Sequence, residues 1–224
     1  MSVDIENLKC HIEPYFIAEV GLNHNGSIEL AKKLILEISR TGAHAIKFQH
    51  RSKKAIKKKA KTSELALEYV EAYLDSTYIE FDDYLTLSDF AKGLNLEVIF
   101  SVWDTEAAIE VAEAGYKLIK LGSGDLTNIK LGKFCHELGL EIILSTGLND
   151  GKMIFEVLDY YADLGANYGA MHCQSTYPAP FNHLYLGFIK ALKERYPIPI
   201  GYSCHARTNE AILASYVLGA TFFE

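Results

Sequence analysis

The sequence predicts an α/β fold, a (β/α)8 TIM barrel truncated near its eighth strand, and three observations carry that prediction. Short apolar runs alternate with amphipathic stretches along the chain, the pattern of parallel strands covered by helices. Gly42, Gly93, Gly115, Gly139, Gly165 and Gly219 each stand between an amphipathic stretch and the next apolar run, where a residue without Cβ suits the left-handed position that ends a helix. No G-x-G-x-x-G follows the first apolar run, which argues against an open doubly wound sheet.

The first strand is read at YFIAEV, 15–20, with a helix from Ser27 to about Arg40. AIKF at 45–48 is the second strand, and a long segment over 50–80 separates it from a helix at Phe81–Lys92. LEVIFS at 96–101 leads into a helix at Thr105–Ala114, and YKLIKLGS at 116–123 into one at Lys130–Leu138. EIILSTG at 141–147 precedes a helix at Gly151–Leu164, and ANYGAMHC at 166–173 precedes one at Leu186–Arg195. PIPIGYS at 197–203, a helix at Asn209–Leu218 and ATFFE at 220–224 complete the pattern. A closed barrel of this kind typically takes about 250 residues. The 224 residues therefore read as one barrel domain over 1–224, incomplete at its C-terminus by about one helix.

Composition bounds the function. The chain is 49% hydrophobic and 23% charged, as in ordinary globular domains. A net charge of −7 argues against a general nucleic-acid or acidic-lipid surface. Cys10, Cys135, Cys173 and Cys204 are scattered with no C-x-x-C, which favours reduced thiols and a cytoplasmic protein. The acidic N-terminus does not read as a signal peptide, and no apolar run is long enough for a membrane span. The lysine-rich run RSKKAIKKKAK at 51–61 reads as a solvated loop. It follows the second strand on the catalytic face, so a lid role is the functional alternative.

Barrel enzymes carry their chemistry at the C-terminal ends of the strands. Glu19, Lys47, Gln49, Lys120, Ser123, Asp125, Ser145, His172, Cys173, Ser175, Tyr177, Ser203 and His205 all fall there. Strand alternation places Ser203 and His205 on one face and Cys204 on the other, and separates Cys173 and Ser175 from His172. A zinc site built from His172, Cys173, Cys204 and His205 is thereby excluded. Lys47, Lys120, Ser123, Ser145 and Ser203 together form a candidate site for a small phosphorylated acid, since ammonium groups and hydroxyls suit phosphate and carboxylate. His205 is a candidate metal ligand, and the metal would be a hard or borderline ion such as Mn²⁺ or Mg²⁺.

These residues sit in motifs with a family likeness. FIAEVGLNHNGSIELAKKLI and GAHAIKFQ within 16–49, KLGSGDLTN at 120–128, LSTG at 144–147, HCQSTYPAP at 172–180 and GYSCHA at 201–206 occur in order. The chain from residue 15 onward resembles the N-acetylneuraminate (sialic acid) synthase family, which includes legionaminic and pseudaminic acid synthases. The resemblance implies condensation of phosphoenolpyruvate with an N-acylated mannosamine-type aldehyde, giving a nine-carbon 2-keto acid and phosphate. It implies that Lys47, Lys120, Ser123, Ser145 and Ser203 hold phosphoenolpyruvate, and that Glu19 is the acid/base carboxylate. It further implies that Asp125, Ser175 and Tyr177 face the sugar, and that His205 is one of two histidines on a divalent metal, usually manganese.

Departures from the family pattern are equally specific. Cys204 replaces the aspartate that usually precedes the metal histidine, and SVWD at 101–104 replaces S-T-P-F, so that a threonine hydroxyl is lost at Val102. The second metal histidine would follow Glu224, the last residue. The final barrel helix and the small C-terminal antifreeze-like domain, which in the family reaches the partner subunit of a homodimer, are expected to be absent. Two other readings stay open: an incomplete barrel that only binds phosphoenolpyruvate, and a metal-free Schiff-base aldolase using Lys47 or Lys120.

Overall fold

The computed structural model describes residues 3–10, 13–55 and 72–224, Cys10 by its backbone alone. Most of the basic run, and with it the lid reading, lies outside the described residues. Eight parallel strands close into a barrel in chain order. They are β1 (Tyr15–Gly21), β2 (Ala45–His50), β3 (Glu97–Val102), β4 (Leu118–Leu121), β5 (Glu141–Ser145), β6 (Tyr168–Cys173), β7 (Ile200–Ser203) and β8 (Phe222–Phe223). The helices whose full extent lies within the described residues are α1 (Ile5–Cys10), α2 (Ile28–Ile38), α3 (Phe81–Gly93), α4 (Thr105–Glu113), α5 (Ile129–Glu137), α6 (Gly151–Asp163), α7 (Gly187–Arg195) and α8 (Glu210–Val217). No described helix is long and apolar enough to cross a membrane.

Apart from Phe16 and Glu19 in β1, the strand residues are buried or half-buried on both faces, and period 2 sorts their side chains between the barrel interior and the helical layer. Outward residues such as Val20, Phe48, Phe100, Ile142 and Tyr202 pack with the helices in one large cluster. Inward residues form a second cluster at the barrel floor, where Ile17, Ala45, Ile99, Leu118, Ile143, Met171 and Phe222 meet. Two positions further along the same strands stand Glu19, Lys47, Ser101, Lys120, Ser145, Cys173 and Glu224. The alternation therefore stacks a polar layer directly on an apolar one. β7 follows the same rule with Ser203 above Gly201, whose missing side chain leaves room for Phe222; a Cβ there would come within 2.4 Å of the ring.

Helix α1 is the main element that the sequence pattern did not reveal. Its Ile5 and Leu8, with Val3, plug the floor beneath Tyr15 and Ile17. It is fixed by Ile5 N donating to Glu141 Oε2 at 2.5 Å and by Thr221 Oγ1 donating to the Leu8 carbonyl at 2.9 Å. Strands β4, β6 and β7 are shorter than their apolar runs, and two 3₁₀ turns, Ser123–Asp125 and Phe181–His183, interrupt the loops that follow β4 and β6. Five of the six predicted helix-ending glycines have positive φ, but Gly93 remains helical and Asn95 takes the left-handed position at φ 61°. Asparagine tolerates that region better than other side chains.

Candidate active site

The polar layer opens into a cavity of about 310 Å³ at the C-terminal ends of the strands. Its base is an ion-pair cluster. The Lys47 ammonium, almost fully buried, contacts the Glu19 carboxylate, donates to Ser101 Oγ at 3.0 Å and lies 3.8 Å from Glu224 Oε2. The Lys120 ammonium contacts Glu224 Oε1 at 2.5 Å, and Ser203 Oγ donates to the same oxygen at 3.4 Å. The two lysines thus converge on one carboxylate. Burial alone would raise the Glu224 carboxyl, but Lys120 and Lys47 pull it far below the ordinary carboxylate range. Burial alone would lower the Lys47 ammonium, but the charges of Glu19 and Glu224 hold it above its ordinary value.

Two backbone devices aim these groups. The β1–β2 register shifts between Glu19 and Gly21, a bulge of the kind that redirects a side chain at a barrel rim. Gly21 has φ 51°, and a Cβ on it would crowd Glu19 Oε1 at 3.1 Å and Gln49 Nε2 at 3.2 Å. Above β5, Gly147 lets Ser123 and Ser175 close in, since a Cβ there would meet their hydroxyl oxygens at 2.7 and 2.2 Å. Ser123 Oγ donates to Ser145 Oγ at 3.1 Å.

His205 lies across the mouth, stacked on the Tyr177 ring at 4.0 Å between centroids. Its Nδ1 is 2.8 Å from the Gln174 carbonyl, and because a carbonyl only accepts, Nδ1 carries a proton. Its Nε2 faces Ser203 Oγ at 3.3 Å. Cys173 Sγ stands 3.9 Å from Nδ1 and 3.8 Å from Ser175 Oγ. Burial would raise this thiol, but the hydrogen bond and charge of His205, then Lys120 and Ser175, bring it down to about 7. Burial would lower His205, and Cys173 holds it above the ordinary imidazole value.

Nine of the predicted site residues line this one cavity: Glu19, Lys47, Lys120, Ser123, Ser145, Ser175, Tyr177, Ser203 and His205. Asp125 is not among them; it ends a 3₁₀ turn and its Oδ1 accepts from Asn128 Nδ2 at 3.0 Å. Val102 points outward into the helical layer, so the hydroxyl expected to be lost there is not a cavity group; Ser101 is the β3 hydroxyl that faces inward. The geometric exclusion of a four-residue Cys/His site agrees with the side-chain directions. His172 bonds the Leu184 carbonyl at 2.8 Å and Cys204 packs in the outer cluster, while Cys173 and His205 face the mouth. Sequence reasoning did not assign Ser101, Trp103, Cys173 or Glu224 to the site. The period-2 offset from the floor residues would have found three of them.

For a divalent metal the chain offers a partial fit. His205 donates Nδ1–H to a backbone carbonyl, the arrangement that orients a metal-binding imidazole through its other nitrogen. Among the described residues, however, no group of three or more His, Cys, Asp or Glu is placed to hold an ion. The described side chains alone do not complete such a site.

Comparison with known proteins bears on this geometry. The NeuB family matches residues 34–224. The chain is 35% identical over 218 residues to N,N'-diacetyllegionaminic acid synthase of Campylobacter jejuni, covering 93% of this chain and 65% of that protein. It is 34% identical over 221 residues to N-acetylneuraminate-9-phosphate synthase of Drosophila melanogaster, covering 94% of this chain and 59% of that protein. The crystal structure of N-acetylneuraminic acid (sialic acid) synthetase from Leptospira borgpetersenii in complex with citrate superposes with a TM-score of 0.84 at 28% identity, covering 95% of this chain and 72% of that one. The chain thus spans less than two thirds of the length of the two sequence relatives.

Proposed function

The chain belongs to the NeuB family, and from that premise we propose that its barrel mouth binds phosphoenolpyruvate and serves a synthase that joins it to an N-acylated amino-sugar aldehyde. The supporting observation is the convergence of the Lys47 and Lys120 ammonium groups on the single carboxylate of Glu224. An anionic ligand would take over those lysines, with Ser123, Ser145 and Ser203 as neutral donors. Carbon–carbon bond formation would join C3 of phosphoenolpyruvate to the aldehyde carbon. Water would then add at C2, and phosphate would leave by C–O cleavage. Glu19, which contacts Lys47 and Gln49, would hold or move a proton at this centre. Ser175 and Tyr177 on the β6 loop would face the sugar. We further propose Mn²⁺ or Mg²⁺ with His205 Nε2 as its ligand in this chain; when bound, such an ion supplies Lewis-acid polarisation of the aldehyde oxygen.

Calorimetric titration with phosphoenolpyruvate tests the site. The 224-residue chain is expected to bind and the Lys120→Ala variant to lose binding; equal affinity of the two would refute the reading. A binding-only barrel is the second reading, favoured by the incomplete donor set among the described residues. Phosphate release on adding the aldehyde and Mn²⁺ separates it from a synthase. A Schiff-base aldolase needs a free amine, whereas both lysines here are ion-paired; borohydride trapping with a keto acid checks that alternative.

A further inference from the structure

The inference here rests on that reading of the mouth and adds one residue to it. Among the described residues, the charge-bearing side chains that line the cavity are Glu19, Lys47, Lys120, Cys173, His205 and Glu224. Two lysines oppose two glutamates, and Cys173 with His205 contributes no net charge whether the pair is neutral or ionised. A ligand that carries both a phosphate and a carboxylate brings at least two negative charges. A balanced pocket offsets the desolvation of such a ligand poorly. A further cation at the rim would improve that balance from the protein side, and the described part of the rim holds one close by.

Arg51 is the first residue after β2, and its guanidinium carbon lies 3.9 Å from the centroid of the Trp103 ring. Trp103 is itself a wall of the cavity. Its far edge rests on Gly122, where a Cβ would come within 3.0 Å. The guanidinium is therefore one ring away from the cavity. The nearby Lys53 and Lys54 are engaged with Glu80 and Glu106 at 2.9 and 3.8 Å. Arg51 forms no ion pair within 4.0 Å among the described residues; burial lowers its guanidinium, and the more distant charges of Asp125 and Asp104 only partly offset that. Two donors of this stack, Arg51 Nε and Trp103 Nε1, are buried with no acceptor among the described residues. The β2 loop is pinned where it carries Arg51, because Ser52 N donates to Asp104 Oδ2 at 3.0 Å while Oδ1 of the same residue caps α4.

We propose that Arg51, held on the face of Trp103, is an anion-reading residue of the mouth and takes a phosphate-type oxyanion of a bound substrate. A planar guanidinium suits that role, since it can stack on an aromatic face and present paired donors to phosphate. The oxyanion belongs either to phosphoenolpyruvate or to a phosphate on the sugar.

The test is titration of the full chain in EDTA-treated buffer with phosphoenolpyruvate and, separately, with N-acetylmannosamine 6-phosphate, at several salt concentrations. Arg51→Gln is expected to weaken one of the two ligands by about tenfold, the scale of one charge-assisted contact. It is also expected to flatten the salt dependence of that binding, and Arg51→Lys to restore part of both. Which ligand responds assigns the source of the oxyanion. If the wild-type chain binds phosphoenolpyruvate, Lys120→Ala does not, and Arg51→Gln binds both ligands as the wild type does, the inference falls alone. Weakened binding with an unchanged salt dependence also overturns it, because that is the signature of a merely structural role. If the wild type binds neither ligand, the reading of the site falls and this inference with it.

Discussion

Glu224 shows what a residue can do that its position in the chain conceals. The sequence exposes both lysines and the serines as strand-end residues, because period 2 and strand spacing are local properties. Glu224 pairs with Lys120 across 104 positions, a relation that exists only once the ring is closed. Asp125 is the opposite case: two positions from Ser123, it ends the 3₁₀ turn, pairs with Asn128 and does not line the cavity. The Glu224 pairing predicts a pH dependence. Burial would raise the carboxyl, but Lys120 and Lys47 bring it to about 2 in the folded protein. A folded-state value below the unfolded one means that its stabilisation is fully present above the unfolded value of about 4.3. That stabilisation is lost as pH falls from about 5 toward 2. Glu224→Gln should flatten stability across that window, read by urea titrations at successive pH values, and an unchanged slope would contradict the pairing. Lys120→Met should destabilise the fold by leaving the buried carboxylate underpaired, on the order of 3 kcal/mol. Adding Glu224→Gln to it should recover part of that loss, a coupling readable from a double-mutant cycle.

At the scale of elements, most strands and helices are legible because apolar periodicity is reinforced by a stop signal. The misses have a common cause, which is shortness. Helix α1 has six residues, under two turns, too few for a 3.6-residue period to show. The packing of one element on another is less legible still. Gly132 lies inside α5, where glycine ordinarily costs about 1 kcal/mol relative to alanine. Here a Cβ would come within 1.6 Å of Tyr161 Oη on α6, so the glycine is the residue that lets the two helices meet. Gly132→Ala is therefore expected to destabilise by about 1–3 kcal/mol, against the trend of helix propensity. Tyr161 Oη is buried without a hydrogen-bond partner among the described residues, so Tyr161→Phe should be neutral or stabilising and should reduce the alanine penalty. Thermal denaturation of the two single variants and the double variant checks both statements.

Across the whole molecule, the barrel is two stacked layers inside one ring. The lower is sealed by α1 and the upper is lined by the candidate site. The ring itself is legible from strand–helix alternation. The plug is not, because nothing local distinguishes a helix that closes a floor from a stray N-terminal turn. The division of labour between the layers is testable. Leu8 is fully buried in the floor, and Leu8→Ala should cost about 2–5 kcal/mol in stability. The folded fraction should keep the proposed phosphoenolpyruvate affinity, since no described α1 side chain lines the cavity. A lowered denaturation midpoint with an intact binding constant is the expected pair of results.

The ring shuts through a strand of two residues, Phe222 and Phe223. Beyond them Glu224 is clasped twice, by its backbone to Cys204 N at 2.8 Å and to Tyr202 O at 3.0 Å, and by its carboxylate to the lysines. An incoming oxyanion that claims those lysines would undo the second clasp and leave the first to hold alone, without the support of the buried carboxylate. Substrate would then loosen the molecule at its own fastening while tightening the chamber beneath it. Hydrogen exchange at the Cys204 and Glu224 amides should quicken in the presence of phosphoenolpyruvate even as the melting temperature rises.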